Sequence, residues 1–195
     1  MPWEQLTALA LFAFVSTFTP GPNNIMLMTS GANVGFNKSI PHMLGITIGF
    51  PAMVILVGFG LIAIFDQYPM IHHGLKVISL IYLAYLAWQI ARSQPPKEKN
   101  THYKPLSFWQ AACFQWVNPK GWSMALTAVS VYNPSNSGLG LVIIALVYAL
   151  ANVPSVSFWT LAGQKLQQLL TSRLRVRSFN YSMALLLIAS TLPML

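Results

Sequence analysis

A succession of long apolar runs constrains this chain more than any other feature of its sequence. A helix rises about 1.5 Å per residue and a bilayer core is about 30 Å thick, so roughly 20 residues make one span. Only 7% of the residues are charged, whereas a soluble domain carries about 25%. The runs are also too long for the alternating strands of a membrane barrel. The sequence therefore predicts an all-α, polytopic membrane helix bundle and excludes a soluble domain.

Six apolar segments follow one another along the chain. They cover residues 6–34, 40–65, 75–91, 108–131, 139–161 and 179–195. The last segment fits a span least well, because it has 17 residues and a late proline, Pro193. We predict one membrane domain over residues 1–195, made of a first three-helix repeat (1–92), a cytoplasmic linker (93–105) and a second three-helix repeat (106–195).

The basic residues predict the orientation of the six spans. Nine of them fall in the loops after the first, third and fifth spans: Lys38, Arg92, Lys97, Lys99, Lys104, Lys165, Arg173, Arg175 and Arg177. The loops on the opposite side hold only Lys76. Because basic loops stay in the cytoplasm, we expect both termini to lie outside. The net charge of +8 is then explained by topology and needs no nucleic-acid partner.

A proline motif interrupts both the first and the fourth segment, at residues 19–24 (TPGPNN) and 118–121 (NPKG). Pro20 and Pro119 are 99 residues apart, and the second and fifth segments also share an internal proline. Two units of three helices enter the membrane from opposite sides, and matched broken helices are typical of secondary transporters. A turn between two separate helices fits less well, because residues 6–18 make only about 20 Å of helix. A re-entrant pair of short helices stays open as an alternative.

Broken helices offer both ends of a zwitterion a partner without any buried acid. Pro22 and Pro119 can each begin the second half of a span, with Gly21 or Asn118 as the cap. The free N–H groups there suit a carboxylate, and the carbonyls that end the first halves suit an ammonium group. The predicted substrate-binding residues are Thr19, Pro20, Gly21, Pro22, Asn23, Asn24, Asn118, Pro119, Lys120 and Asn152.

These polar residues also have structural interpretations. Lys120 is the only charge well inside a span, which marks a functional residue, but it can instead snorkel to water. The intramembrane asparagines can be hydrogen bonders between packed helices. Gly45 and Gly49 form a GxxxG step, which indicates close helix packing more often than a binding site.

No catalytic, metal or cofactor site is predicted. The single cysteine, Cys113, allows neither an internal disulfide nor a CxxC motif, and HExxH is absent. An intramembrane hydrolase needs a nucleophile with a base inside the bilayer, and all four histidines fall at span ends or in loops. An intramembrane enzyme and a channel or structural subunit remain the alternatives to a transporter. Homo-oligomer formation is left open.

Five motifs spread over the chain resemble the lysine exporter superfamily of bacterial amino-acid exporters. They are FTPGPNN (18–24), GITIGF (45–50), IYLAYLAW (81–88), QWVNPKGW (115–122) and NVPSVSFW (152–159). The resemblance implies an inner-membrane protein that exports amino acids or their derivatives with the proton gradient. Many members have an acid where this chain has Phe50, and the Gly49–Phe50 pair is similar to the cysteine and O-acetylserine exporter branch. The resemblance therefore favours a small neutral amino acid as substrate and leaves the proton-coupling residue unassigned.

The basic loops give a topological prediction. A C-terminal fusion to alkaline phosphatase is expected to be active, because the enzyme folds only outside the cytoplasm, and a fusion near Lys99 is expected to be inactive. The reverse pattern would overturn the orientation and the inverted repeat together.

Overall fold

The described part of the chain, in this computed structural model, comprises residues 1–61, 69–93, 103–135 and 137–190, and it contains no strand. Its helices are α1 (Trp3–Phe18), α2 (Pro22–Val34), α3 (Phe36–Leu56), α4 (Pro69–Ala91), α5 (Phe108–Phe114), α6 (Pro119–Tyr132), α7 (Gly138–Gln167) and α8 (Arg173–Ala189). A π-helical turn, Val57–Leu61, follows α3, and a 3-10 turn, Gln115–Val117, follows α5. The all-α class predicted from the composition is confirmed.

Several helices extend beyond the apolar segments. Helix α4 begins at Pro69, α7 reaches Gln167 and α8 begins at Arg173. At the start of α8 the hydroxyl of Ser172 accepts a hydrogen bond from the N–H of Arg175. Hydropathy marks only the apolar part of a helix, whereas a cap sets its end, so the segments missed these polar turns. Residues 191–195 of the sixth segment lie outside the described residues.

The outward faces of the long helices are apolar. Residues Phe36–Gly60 and Gly138–Gln167 form helices long and apolar enough to cross a membrane, and Trp3–Phe18 and Val77–Ala91 are shorter apolar helices. Ile81 on α4 is 65% exposed, Leu150 on α7 is 73% exposed and Leu185 on α8 is 70% exposed. A water-facing surface of this size would show far fewer contiguous apolar side chains, whereas a lipid-facing surface requires them.

Helices α2 and α7 cross so closely that their backbones touch. A Cβ on Gly31 would overlap the carbonyl oxygen of Thr160, and a Cβ on Gly163 would overlap the carbonyl oxygen of Met28. Glycine also allows α3 to pack closely against α5, where a Cβ on Gly45 or Gly49 would overlap atoms of α5. The interpretation of the GxxxG step as a packing motif is therefore confirmed.

Three apolar clusters fill the bundle. The first joins α1, α3, α6 and α7 and includes Phe50 and Tyr148, whose rings meet edge to face at 4.9 Å. The second joins α2, α4, α5 and α8, and the third is a smaller group that includes Ile46 and Val156. Phe50 of the first cluster and Ile46 and Val156 of the third line the same polar cavity. The cavity therefore borders both of these apolar clusters.

The contact of α2 with α7 gives a stability prediction. Gly31→Ala is expected to lower the free energy of unfolding by about 1–3 kcal/mol, because a methyl group is forced against a backbone carbonyl. Gly74→Ala on α4 is the control, since nothing lies within 4 Å of a Cβ there. Thermal unfolding of the detergent-solubilised protein measures both, and equal melting temperatures would contradict the close crossing.

Candidate functional site

The two interruptions of the helical chain lie on one polar cavity. Thr19, Pro20 and Gly21 separate α1 from α2, and Asn118 alone separates the 3-10 turn from α6. Pro22 and Pro119 are the first residues of α2 and α6, where a proline ring removes no intrahelical hydrogen bond. The interruptions are therefore shorter than the sequence motifs that mark them.

The cavity collects six of the ten predicted residues: Gly21, Asn23, Asn24, Asn118, Lys120 and Asn152. Its other lining residues are Ser16, Thr17, Ile46, Phe50, Gln115, Gly121, Met124 and Val156. Thr19, Pro20, Pro22 and Pro119 are not part of the wall. The cavity volume is about 30 Å³, which is about the volume of one water molecule in the liquid. An amino acid therefore fits only when the surrounding helices move apart.

Asn24, in the first turn of α2, donates hydrogen bonds to the carbonyl end of α1. Its Nδ2 donates to the carbonyl oxygens of Thr17 and Thr19, each at 2.8 Å. The last carbonyls of a helix have no partner within the helix, and leaving them bare inside an apolar bundle is costly. Asn24 thus holds α1 and α2 together across the interruption.

Two side chains of α7 bond the same end of α1. The hydroxyl of Ser155 donates to the carbonyl oxygen of Thr17 at 2.8 Å, and the indole N–H of Trp159 donates to that of Phe18 at 3.2 Å. Neither residue was predicted as part of the site. Asn152, Ser155 and Trp159 share one helix face at spacings of three and four, and this pattern was available in the sequence.

Lys120 on α6 donates further hydrogen bonds to this end of α1. Its Nζ donates to the carbonyl oxygen of Thr19 at 2.6 Å and to the Thr19 hydroxyl at 2.8 Å. The stem passes over Gly21, where a Cβ would lie 2.7 Å from Lys120 Cδ. The ammonium group therefore sits at the carbonyl end of α1, the place predicted for a substrate ammonium, and not at the start of its own helix.

A reciprocal amide pair links the two interruptions. Asn23 Nδ2 donates to Gln115 Oε1 at 2.9 Å, and Gln115 Nε2 donates to Asn23 Oδ1 at 3.3 Å. Gln115 also donates to the carbonyl oxygen of Ala111 at 2.8 Å. It was missed as a site residue, although a glutamine in an apolar run just before the NPK motif was a visible signal.

Asn118 and Asn152 each keep an unused polar atom at the cavity. Asn118 is the N-cap residue of α6, as predicted, but its side chain makes no capping hydrogen bond. Among the described residues, no partner reaches Asn118 Oδ1 or Asn152 Nδ2, both of which are buried. A buried group without a partner costs about 1–3 kcal/mol. One acceptor and one donor are therefore available to a ligand.

The bonds of Asn24 give a testable contrast with an exposed asparagine. Asn24→Asp replaces a donor by an acceptor against two carbonyls and is expected to cost about 1–3 kcal/mol of unfolding free energy. Asn37→Asp is the matched control, since Asn37 is exposed at the start of α3. Melting temperatures in detergent should fall clearly only for Asn24→Asp, and equal losses would contradict this assignment.

Comparison with known proteins places the chain in a family. The family model described as LysE type translocator matches residues 14–193. Proteins named cysteine/O-acetylserine efflux protein from Escherichia coli (strain K12), Escherichia coli O139:H28 (strain E24377A / ETEC) and Shigella sonnei (strain Ss046) are each 34% identical over 188 residues, 94% of this chain and 93% of the relative. No solved structure matches the chain. The resemblance read from the motifs is confirmed: the chain belongs to the LysE type translocator family, and it is a membrane transport protein and not an enzyme.

Proposed function

We propose that this protein exports small neutral amino acids or their derivatives, of the cysteine, O-acetylserine, threonine or homoserine type, from the cytoplasm. The observation that carries the proposal is the polar cavity where the end of α1 meets the starts of α2 and α6. The names of the relatives support cysteine and O-acetylserine as the first compounds to test. The proton gradient is proposed as the driving force.

Both charged ends of an amino acid find partners in this cavity. The first N–H groups of α2 and α6 suit a carboxylate, because the positive end of each helix dipole lies there. The Thr19 carbonyl oxygen lies outside the cavity wall but bonds the lining residue Lys120, and together with Asn118 Oδ1 it suits the substrate ammonium. In our proposal the substrate ammonium takes the place of the Lys120 ammonium at Thr19, and Lys120 then turns to the substrate carboxylate.

The lining of the cavity supports a neutral substrate. None of the described residues that line it is acidic, and Phe50 adds an aromatic ring instead of a carboxylate. A lysine or arginine substrate would bring a second positive charge next to Lys120, without a buried partner for it. Neutral amino acids avoid this cost.

The proposed architecture has six spans in two inverted repeats, with α1–α2 and α5–α6 as the broken spans. Helix α1 packs against α7, and α5 packs against α3, so the first half of each broken span lies on the long helix of the other repeat. The second halves are similar in length, 13 residues in α2 and 14 in α6. Both relations support the repeats at 1–92 and 106–195. We place the protein in the bacterial inner membrane with both termini outside.

The small volume of the cavity, about 30 Å³, supports a transporter over a channel. The apolar side chains of Ile46, Phe50 and Val156 are among the residues that line it. A pore would need a continuous wetted path, whereas a transporter opens such a site to one side at a time.

The substrate class is tested in inside-out vesicles supplied with radiolabelled amino acids. Uptake of cysteine, O-acetylserine or threonine is expected to saturate and to stop when the proton gradient is dissipated. Lysine and arginine are expected to be poor substrates. Uptake of basic amino acids alone would contradict the argument from the missing carboxylates.

Lys120→Met tests the charged contact, because methionine keeps much of the stem and removes the ammonium. A charge-assisted hydrogen bond is worth about 1.5–3 kcal/mol, so apparent affinity is expected to weaken about ten- to a hundred-fold. Lys165→Met, at the exposed end of α7, is the matched control and is expected to transport normally. Normal transport by Lys120→Met at low substrate concentration would remove Lys120 from the site.

A further inference from the structure

His42 is a second buried polar group. It lies beside the polar cavity proposed to bind the substrate (the substrate cavity) and has no role in the binding described so far. His42 on α3 is 0% exposed, although the sequence placed it at the end of the second predicted span. Its Nδ1 lies 3.3 Å from the hydroxyl of Ser30 on α2, which lies 2.8 Å from the hydroxyl of Tyr103. Its other nitrogen, Nε2, is buried without a hydrogen-bond partner among the described residues.

His42 faces a small cavity of its own, of about 20 Å³, which has room for one water molecule. The residues that line it are Met26, His42, Leu86, Gln89, Ile90, Tyr103, Lys104 and Leu106. Tyr103 and Lys104 belong to the predicted cytoplasmic linker. This cavity therefore lies between α3 and the side of the bundle where the basic loops are predicted.

The two cavities are one helical turn apart on two different helices. On α2, Asn23 lines the substrate cavity and Met26 lines the His42 cavity. On α3, Ile46 lines the substrate cavity and His42 lies four residues earlier. At 1.5 Å per residue each step is about 5–6 Å along the helix. His42 thus lies next to the substrate cavity, on its linker side.

We propose that His42 is the proton-binding group of this transporter and exchanges its proton with the cytoplasm through the hydroxyls of Ser30 and Tyr103. The inference rests on the proposed function, because it names the group that couples export to the proton gradient. The imidazolium gives its Nδ1 proton to Ser30 Oγ while Ser30 gives its own proton to Tyr103. Tyr103 in turn gives its own proton to a water molecule on the linker side, so both hydroxyls end unchanged and one proton has moved.

The groups around His42 fit transient protonation. Imidazole is the side chain that exchanges protons near neutral pH. The groups that face it are Tyr103 and Lys104 from the segment before α5, Ser30 from α2 and Gln89 from α4. Among the described residues that line its cavity no carboxylate is present, and the positive Lys104 favours proton release.

Tyr103 is suited to pass a proton on and not to hold a charge. Burial raises the pKa of its hydroxyl well above the ordinary value for tyrosine, so the phenol stays neutral. Its hydroxyl also lies 3.4 Å from the carbonyl oxygen of Met26, which gives its own hydrogen an acceptor. The route from His42 to the linker therefore consists of neutral hydroxyls.

The test uses the full chain in liposomes and two assays. Substrate exchange across the membrane needs no net proton movement, whereas accumulation against a gradient does. His42→Gln keeps a polar side chain of similar size but cannot exchange a proton near neutral pH. It is expected to retain exchange within about twofold of the unmodified protein and to lose at least about tenfold in accumulation driven by a pH gradient. A pH-sensitive dye should then show no proton flux on substrate addition.

Two further variants keep the inference testable if His42→Gln does not fold. Tyr103→Phe removes one hydroxyl of the route and is expected to slow gradient-driven accumulation several-fold with exchange unchanged. Thr29→Val is the control, since within the described part of the chain the Thr29 hydroxyl bonds only the Ile25 carbonyl of its own helix, at 2.8 Å. It is expected to change neither assay.

The outcomes distinguish failure of the His42 assignment from failure of the proposed export function. Gradient-driven accumulation at the normal level by His42→Gln, or by Tyr103→Phe where the first variant does not fold, would overturn the assignment of His42. Loss of exchange together with accumulation in a folded His42→Gln would show a structural role and would overturn it as well. Failure of the unmodified protein to exchange any neutral amino acid would instead overturn the proposed function, and this inference with it.

Discussion

The hydrogen bonding at the carbonyl end of α1 is the interaction on which the rest of the structure depends. Helix α1 ends inside the bundle, where its last carbonyls have no helical partner and no lipid can supply one. Asn24 of α2, Lys120 of α6, and Ser155 and Trp159 of α7 supply the donors. One helix end thereby ties together three other helices from both halves of the chain. A ligand that competes for these carbonyls would loosen all of these contacts at once.

The same constraint explains how a site for a charged molecule can exist without a buried acid. Helix ends carry partial charges that are fixed by the fold and need no counter-ion. The cavity joins one carbonyl end to two N–H ends, and Asn118 and Asn152 contribute one free acceptor and one free donor. The only full charge among the described residues that line it is Lys120, which bonds Thr19. We propose that such a site suits the two charges of a zwitterion, and a substrate with a second positive charge gains nothing from it.

The positions where α2 and α6 begin could be predicted from the sequence, because they depend on local residue preferences. Pro22 and Pro119 begin α2 and α6 because proline fits the first turn of a helix whatever surrounds it. The direction of Lys120 was not predictable, because the acceptor at Thr19 is 101 residues away in the chain. For the same reason the sequence did not show that the Asn118 side chain makes no capping hydrogen bond or that His42 is wholly buried. Those properties depend on which helices pack side by side, and the spacing of residues along the sequence does not show which helices are neighbours.

The central claim, that the substrate binds where these helix ends meet, is tested most directly by substrate protection of a cysteine. In a Cys113→Ser background, Met124→Cys places a thiol in the cavity wall on α6, and Lys165→Cys places one at the exposed polar end of α7. A small methanethiosulfonate reagent is added with and without cysteine's isostere serine or O-acetylserine, and the labelling rates are compared. A transported amino acid is expected to slow labelling at position 124 and to leave labelling at position 165 unchanged. Equal labelling rates at position 124, with and without a transported amino acid, would contradict it.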